Sequence, residues 1–425
     1  MRNWVRSISI QEGWAFISSS YQRKENKLKR VVVIGGGAAG FFAALSAKEH
    51  HGDHEVVLIE KTASLLSKVK ISGGGRCNVT HACFDPKLLC TYYPRGSKEL
   101  LGPFHQFQPK DTIEWFSQRG VVLKKEEDGR MFPITDSSST IIACLLQEAK
   151  KQKIEIRTCT HIEKIEKIEG CFVLHIKGDQ EPLCASSLIL ATGSSRQGYE
   201  WALLFGHTVE PLAPSLFTFN VPTSCLKELS GISFPDVEVS LVDTPFSYRG
   251  PLLITHFGFS GPVVLKLSSF GAKYLQKKNY HTEMAINWCP ELSCEEIKRK
   301  IIDLKSKFPQ RSLIAENPFL FPKKLWRRFF IQEKALRDLS LKEIDQLAQQ
   351  LHKEIFLIEG KTTHKEEFVT CGGVCLKEVN FKTMESRLCP HLFFAGEILD
   401  IDGITGGFNF QNAWTTGFIA GKNVK

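Results

Sequence analysis

Several features that would announce a function are missing from this chain. No two cysteines stand two residues apart, and no Cys/His spacing resembles a zinc site, so no metal is expected. The thirteen cysteines run from Cys77 to Cys389 in an odd number, which suits buried thiols in a reducing cytoplasm. The longest apolar run, Val31 to Ala47, contains four glycines and lacks a stop-transfer flank, so no membrane span is expected. Residues 1–28 hold no continuous apolar segment and read as an N-terminal extension, not a signal peptide. Internal repeats and low-complexity tracts are also missing.

What remains is an ordinary globular composition with a basic excess. At 425 residues the chain exceeds one small core, so two or three domains are expected. A net charge of +9 favours an anionic partner, although a soluble protein that is merely basic explains it too.

The texture along the chain changes three times. KRVVVI, FFAALSAKEH and EVVLIE read strand, helix, strand over 29–60. SSSTIIACLLQEAKKQ is an amphipathic helix with serines to cap it, and SSLILATG is a buried strand ending in a turn. Prolines and short strands dominate 211–289, and charged helical periodicity fills 290–353. A return strand at 354–370 precedes glycine-rich α/β texture over 371–425. The segments 29–210 and 371–425 thus read as one domain interrupted by a β-rich domain and a helical insertion.

Gly35, Gly37 and Gly40 fit G-x-G-x-x-G between strand and helix, with Ala38 and Ala39 opening the helix. The first glycine permits the tight turn, the second lets the backbone approach a pyrophosphate, and the third lets helix pack on strand. Glu60, followed by Lys61, lies 20 residues beyond Gly40, where a carboxylate can accept from ribose hydroxyls. This predicts dinucleotide binding, with FAD or NAD preferred to NADP. No CxxxxC redox pair stands beside this turn, which excludes the disulfide reductases.

The tail decides between the two nucleotides. Gly396 and Glu397 follow the strand LFF, and GITGGFNFQNAWTTG is a glycine turn entering a helix. A C-terminal strand–turn–helix that closes over the cofactor belongs to two-domain flavoproteins, and Ala191-Thr192-Gly193 after LIL supplies a third element. KVKISGGGRCNVTH, GRMFPITD, LLITHFGFSGPVVLKLSS and the segment from VTCGGV to FIAG together resemble the YhiN/BaiN-type family of bacterial FAD-dependent flavoproteins, over roughly 29–425. The resemblance implies an α/β fold, with a discontinuous Rossmann-like FAD domain of the two-dinucleotide-binding type. That domain would carry an inserted β-barrel-like domain and a small helical subdomain. It also implies tightly bound FAD, NADH or NADPH as transient reductant, and reduction of a conjugated C=C bond. One branch of the family acts on uridine in large-subunit ribosomal RNA and another on unsaturated oxo-bile acids. Here the turn after Thr192 runs into SSRQGYEWALLFGH, a shorter loop than the family's.

A second glycine loop, ISGGGRCNVTH, carries the candidate chemistry. Its glycines, Gly74 and Gly75 among them, would let a flat ring approach. Arg76 could hold an enolate oxygen or a phosphate, and Cys77, or after it His81, could donate the proton; for Arg76 and Cys77, contact with the cofactor or plain packing are the alternatives. Asn78, Asp400, Asp402, Gly406, Gly407, Asn409, Gln411 and Ala413 complete the expected cofactor set. Lys323, Lys324, Arg327 and Arg328, interleaved with Trp326, Phe329 and Phe330, could hold ribosomal RNA, or form a solvated face over a core. Phe217, Phe219, Phe257 and Phe259 could line an apolar pocket for a small enone, or be core. A non-catalytic FAD-binding protein is the third class.

Overall fold

The structure, a computed structural model, describes residues 29–222, 228–330, 332–362 and 369–425. The expected extension at 1–28 lies outside the described residues. β1 (Arg30–Ile34), α1 (Ala38–His50), β2 (Glu55–Ile59), β3 (Glu155–Arg157), β4 (Ser187–Leu190), β5 (Leu392–Phe394) and α2 (Phe408–Lys422) frame the first domain. Its parallel strands run β5-β4-β1-β2-β3, and two short antiparallel strands, Glu385–Ser386 and Val379–Asn380, extend the β5 edge. β1, β2 and β4 are apolar almost without interruption where both faces are covered, as parallel strands require, and the edge strand β3 is not. The chain leaves β1 for β2 on one side and returns through β4 on the other. That reversal of direction opens a crevice at the carboxyl ends of the strands.

α1 and α2 cross over this sheet at short range. A Cβ at Gly417 would lie 2.5 Å from the Ala39 carbonyl oxygen, and one at Gly421 would lie 2.2 Å from that of Ala43. Two glycines four apart therefore let the last helix lie against the first. The N-termini of both helices then open on the same crevice.

The second domain is built on a seven-stranded antiparallel sheet. Its outermost strands, Glu354–Glu359 and Lys361–Thr362, are separated in the chain by Gly360 alone. A flat sheet at ~4.8 Å per strand would hold its edges roughly 29 Å apart. One residue spans at most ~3.6 Å. The sheet therefore curls nearly to closure, and the barrel-like expectation is met.

The helices Cys294–Lys307, Lys323–Arg328 and Leu341–His352 have no separate core. Ile297, Trp326 and Ile344 are buried in the same apolar cluster as Phe234 and Trp288. Two of these helices start on capping boxes, Ser293 with Glu296 and Ser340 with Glu343. Cys289 and Cys294 share the C-x-x-x-x-C spacing but sit here, away from the glycine turn, and both thiols are free. The domains are joined by a two-stranded ribbon, Val209–Ser215 paired with Val369–Val374. The expected boundaries at 210/211 and 370/371 both fall inside it.

Candidate cofactor cleft

The crevice is a cleft of about 660 Å³, within the ~300–1,000 Å³ range of small-molecule sites. Three glycine turns build it. At the first, Gly35 (φ +116°) could bear no Cβ, which would sit 2.3 Å from the Ala191 carbonyl oxygen. A Cβ at Gly40 would lie 1.8 Å from the Gly35 oxygen, so this glycine closes helix onto strand. A Cβ at Gly37 would meet nothing within 4 Å among the described residues, so the backbone there faces open cleft. α1 has no side-chain cap and no acid in its first turn, and α2 is likewise uncapped. Two helix N-termini thus offer positive dipole to one space.

The second turn, Gly73 to Gly75, is left-handed at all three residues (φ +58°, +68° and +82°), a run that only glycine accepts cheaply. Gly73 and Gly74 line the cleft. The following residues anchor this turn to the third. With its amide oriented to satisfy both partners, Asn78 accepts from the Gly407 N–H and donates to the Thr80 carbonyl, each at 3.0 Å. Trp414 Nε1 donates to the Val79 carbonyl at 2.9 Å, and His81 Nδ1 lies 3.1 Å from the Gly406 carbonyl.

Most expected cofactor residues converge here. Gly35, Gly37, Ala38, Ala39, Glu60, Lys61, Gly74, Asn78, Ala191, Thr192, Gly193, Glu397, Gly406, Gly407, Asn409 and Ala413 all line the cleft. Glu60 also ties the first turn to its strand, accepting from the Gly36 N–H at 2.8 Å and the Thr62 N–H at 2.9 Å. Glu397 pairs with Lys68 and accepts from the Thr370 N–H at 3.0 Å. Asn409 lines the cleft, but its amide is engaged with the backbone of Gly403.

Eight others do not line it, and their partners give the reason. Gly40 packs α1 on β1. Gly75 lies just past the cleft wall, and Gly396 packs against Ala39. Gln411 is buried, accepting from Thr80 at 2.6 Å and Thr112 at 2.9 Å. Asp400 accepts from the Gly372 N–H at 2.9 Å, and Asp402 is clamped by Arg95. Arg76 stacks on Phe132, 4.0 Å from the ring centroid, and pairs with Glu126 at 2.6 Å.

Cys77 is the clearest correction. Its side chain is 0% exposed, turned inward by a left-handed backbone (φ +63°), and burial pushes its thiol up to about 12. A thiol sealed in the core cannot reach a molecule in the cleft. Cys77→Ala is expected to keep turnover within about threefold of the parent, since ~0.6 kcal/mol is the most such a change would then represent. Steady-state kinetics on the two proteins checks this, and a hundredfold loss would return Cys77 to the chemistry.

Residues that sequence reasoning missed include Lys68, Leu216, Ile401, Ile404 and Asn412, all lining the cleft. Leu216 carried no signal, since it comes from the other domain. Asn412 sits in the amide-rich FNFQN and was within reach of the same argument as Asn409. Two buried oxygens of this lining, Thr192 Oγ1 and Asn412 Oδ1, have no hydrogen-bond partner. Thr192 Oγ1 faces Gly198 of the following helix. Open glycine backbone and uncapped helix N-termini together fit the pyrophosphate of a dinucleotide.

Over residues 29–423 the sequence matches the model of the HI0933-like protein Rossmann domain. The chain belongs to this family. It is a family of flavoproteins, which supports FAD as the cofactor. Among curated relatives in the HI0933-like family, a ribosomal RNA dihydrouridine synthase of Escherichia coli is 30% identical over 384 residues, covering 87% of this chain and 92% of that protein. The protein of the same description from Haemophilus influenzae is 29% identical over 387 residues, covering 87% and 92%. A 3-dehydro-bile acid delta(4,6)-reductase of Clostridium scindens is 28% identical over 384 residues, covering 87% and 93%. Among the described residues no helix is long and apolar enough to cross a membrane.

Proposed function

We propose that the protein is an FAD-dependent oxidoreductase that uses NADH or NADPH to reduce a conjugated C=C bond, with uridine in large-subunit ribosomal RNA as substrate. Bound FAD supplies the hydride transfer, from the nicotinamide to C6 of the uracil ring, with a proton arriving at C5. The chain's part is to hold and orient. Gly37 and the N-terminus of α1 would receive the pyrophosphate, and Glu60 would accept from the adenosine ribose. The proton at C5 comes from a group other than Cys77.

The observation that carries RNA over a small apolar enone is where the phenylalanines went. Phe217, Phe219 and Phe259 are buried in the second core, and Phe257 is 65% exposed, so none lines the cleft. Among the described residues the second domain contributes only Leu216 to the lining, with Val369 from the ribbon. The basic insertion is narrower than its sequence suggested. Arg328 pairs with Glu354 over Phe329 and Trp326 is buried, which leaves Lys323, Lys324 and Arg327 exposed for phosphates.

The test is deletion of the gene followed by mapping of dihydrouridine in large-subunit ribosomal RNA. Loss of one modified position, restored by the intact gene, is the expected result. Unchanged modification in a strain with no second such enzyme would sink the RNA reading. Binding to ribosomal RNA fragments is also expected to weaken steeply between 50 and 200 mM salt, on the order of tenfold or more.

A further inference from the structure

We propose that Ser215 and Asp402 are positioning residues through which the second domain sets the inner wall of the cleft. The proposal rests on the reading that the cleft holds FAD. Asp402 is 0% exposed and its carboxylate is shared between the two domains. From the first domain, Arg95 clamps both oxygens with Nε and Nη2. From the second, Ser215 Oγ lies 2.8 Å and Ser269 Oγ 3.4 Å from Oδ2. The two serine oxygens are 3.0 Å apart, and Arg95 Nη2 also donates to the Ser269 carbonyl at 2.9 Å. Four segments far apart in sequence therefore meet on one carboxylate.

Both ends of the Ser215–Asp402 bond are next to cleft-lining residues. Leu216 follows Ser215, and its left-handed backbone (φ +59°) turns the chain at that point. Ile401 precedes Asp402, and Ile404, Thr405, Gly406 and Gly407 lead from it into α2. Asp400 repeats the arrangement two residues earlier, accepting from the Gly372 N–H of the ribbon and pairing with Lys273 at 3.3 Å. A buried carboxylate holds its place only while its acceptor sites are filled, so a missing hydroxyl frees the segment it fixed. The position of residues 401–407, and hence of the N-terminus of α2, depends on how the second domain is seated. Neither Asp402 nor Ser215 touches the cofactor; they act through this wall.

The test compares Ser215→Ala and Ser269→Ala with Ser268→Ala. Ser268 is a buried hydroxyl on the same helix that bonds the Phe217 N–H and the Leu265 carbonyl and does not touch Asp402. Each purified protein, stripped of flavin, is titrated with FAD, and its visible spectrum, melting temperature, kcat and KM are recorded. Ser215→Ala is expected to weaken FAD about tenfold and to shift the flavin absorption band, with Ser269→Ala smaller in the same direction. Ser268→Ala is expected to lower the melting temperature and leave both FAD readouts within about twofold. Equal effects of all three on FAD, or none from Ser215→Ala, would overturn the proposal. Failure of the parent protein to bind FAD would instead overturn the reading of the cleft, and this proposal with it.

Discussion

Replacing Gly37 with valine is expected to give a folded protein that no longer retains FAD. The backbone at this position is extended (φ −93°, ψ −171°), a conformation any residue adopts, so valine meets no strain there. A Cβ would touch nothing within 4 Å among the described residues, so valine disturbs no packing. Its methyl groups would occupy the space in front of the N-terminus of α1, where a pyrophosphate must come close to the N–H groups. The expected loss is on the order of 100-fold in FAD affinity, or ~2.7 kcal/mol, with the melting temperature of the apoprotein unchanged. Gly40→Ala should do the reverse, because its Cβ would collide with the Gly35 oxygen and harm the fold itself. Fluorescence titration with FAD and thermal melts separate the two. A Gly37→Val protein that purifies yellow would show that the phosphates bind elsewhere.

Asp402→Ala should be the most damaging substitution to stability. It leaves the Arg95 guanidinium, itself largely buried, without its counter-charge, and the usual cost of breaking such a pair is about 3–5 kcal/mol. Removing both charges is a different matter. Arg95→Met combined with Asp402→Ala removes both charges of the pair, so the double variant should be more stable than Asp402→Ala alone. Urea unfolding of the four proteins in the cycle measures the coupling. If the double variant is as unstable as the sum of the singles, the ion pair is not the reason Asp402 matters.

The frame of the fold was legible because its signals are local. Gly35, Gly37 and Gly40 announce their turn by spacing, and the clashes found at two of them are those the spacing implies. Side-chain direction was not legible. Cys77 stands just after a glycine turn that lines the cleft at Gly73 and Gly74, yet its own left-handed backbone turns its thiol into the core. Asp402 and Gln411 look like ligand contacts because acids and amides beside glycines often are. Their partners, Arg95, Ser215, Thr80 and Thr112, lie between 187 and 331 residues away, where no pattern connects them. The near approach of α1 and α2 had a readable sign in the G-x-x-x-G of Gly417 and Gly421. Its meaning required knowing which helix lay opposite.

The split of the first domain has a consequence for how the chain is made. The cleft takes walls from residues 35–78 and from 397–413, so neither half exists as a site until residue 413 has left the ribosome. The second domain spans a continuous stretch and can collapse first, while β1, β2 and β4 wait for β5 and α2. At ~5–20 residues per second that interval lasts on the order of ten seconds or more. During it, the β5-facing edge of β4 is uncovered. A flavin held by this cleft would join only after α2 has docked.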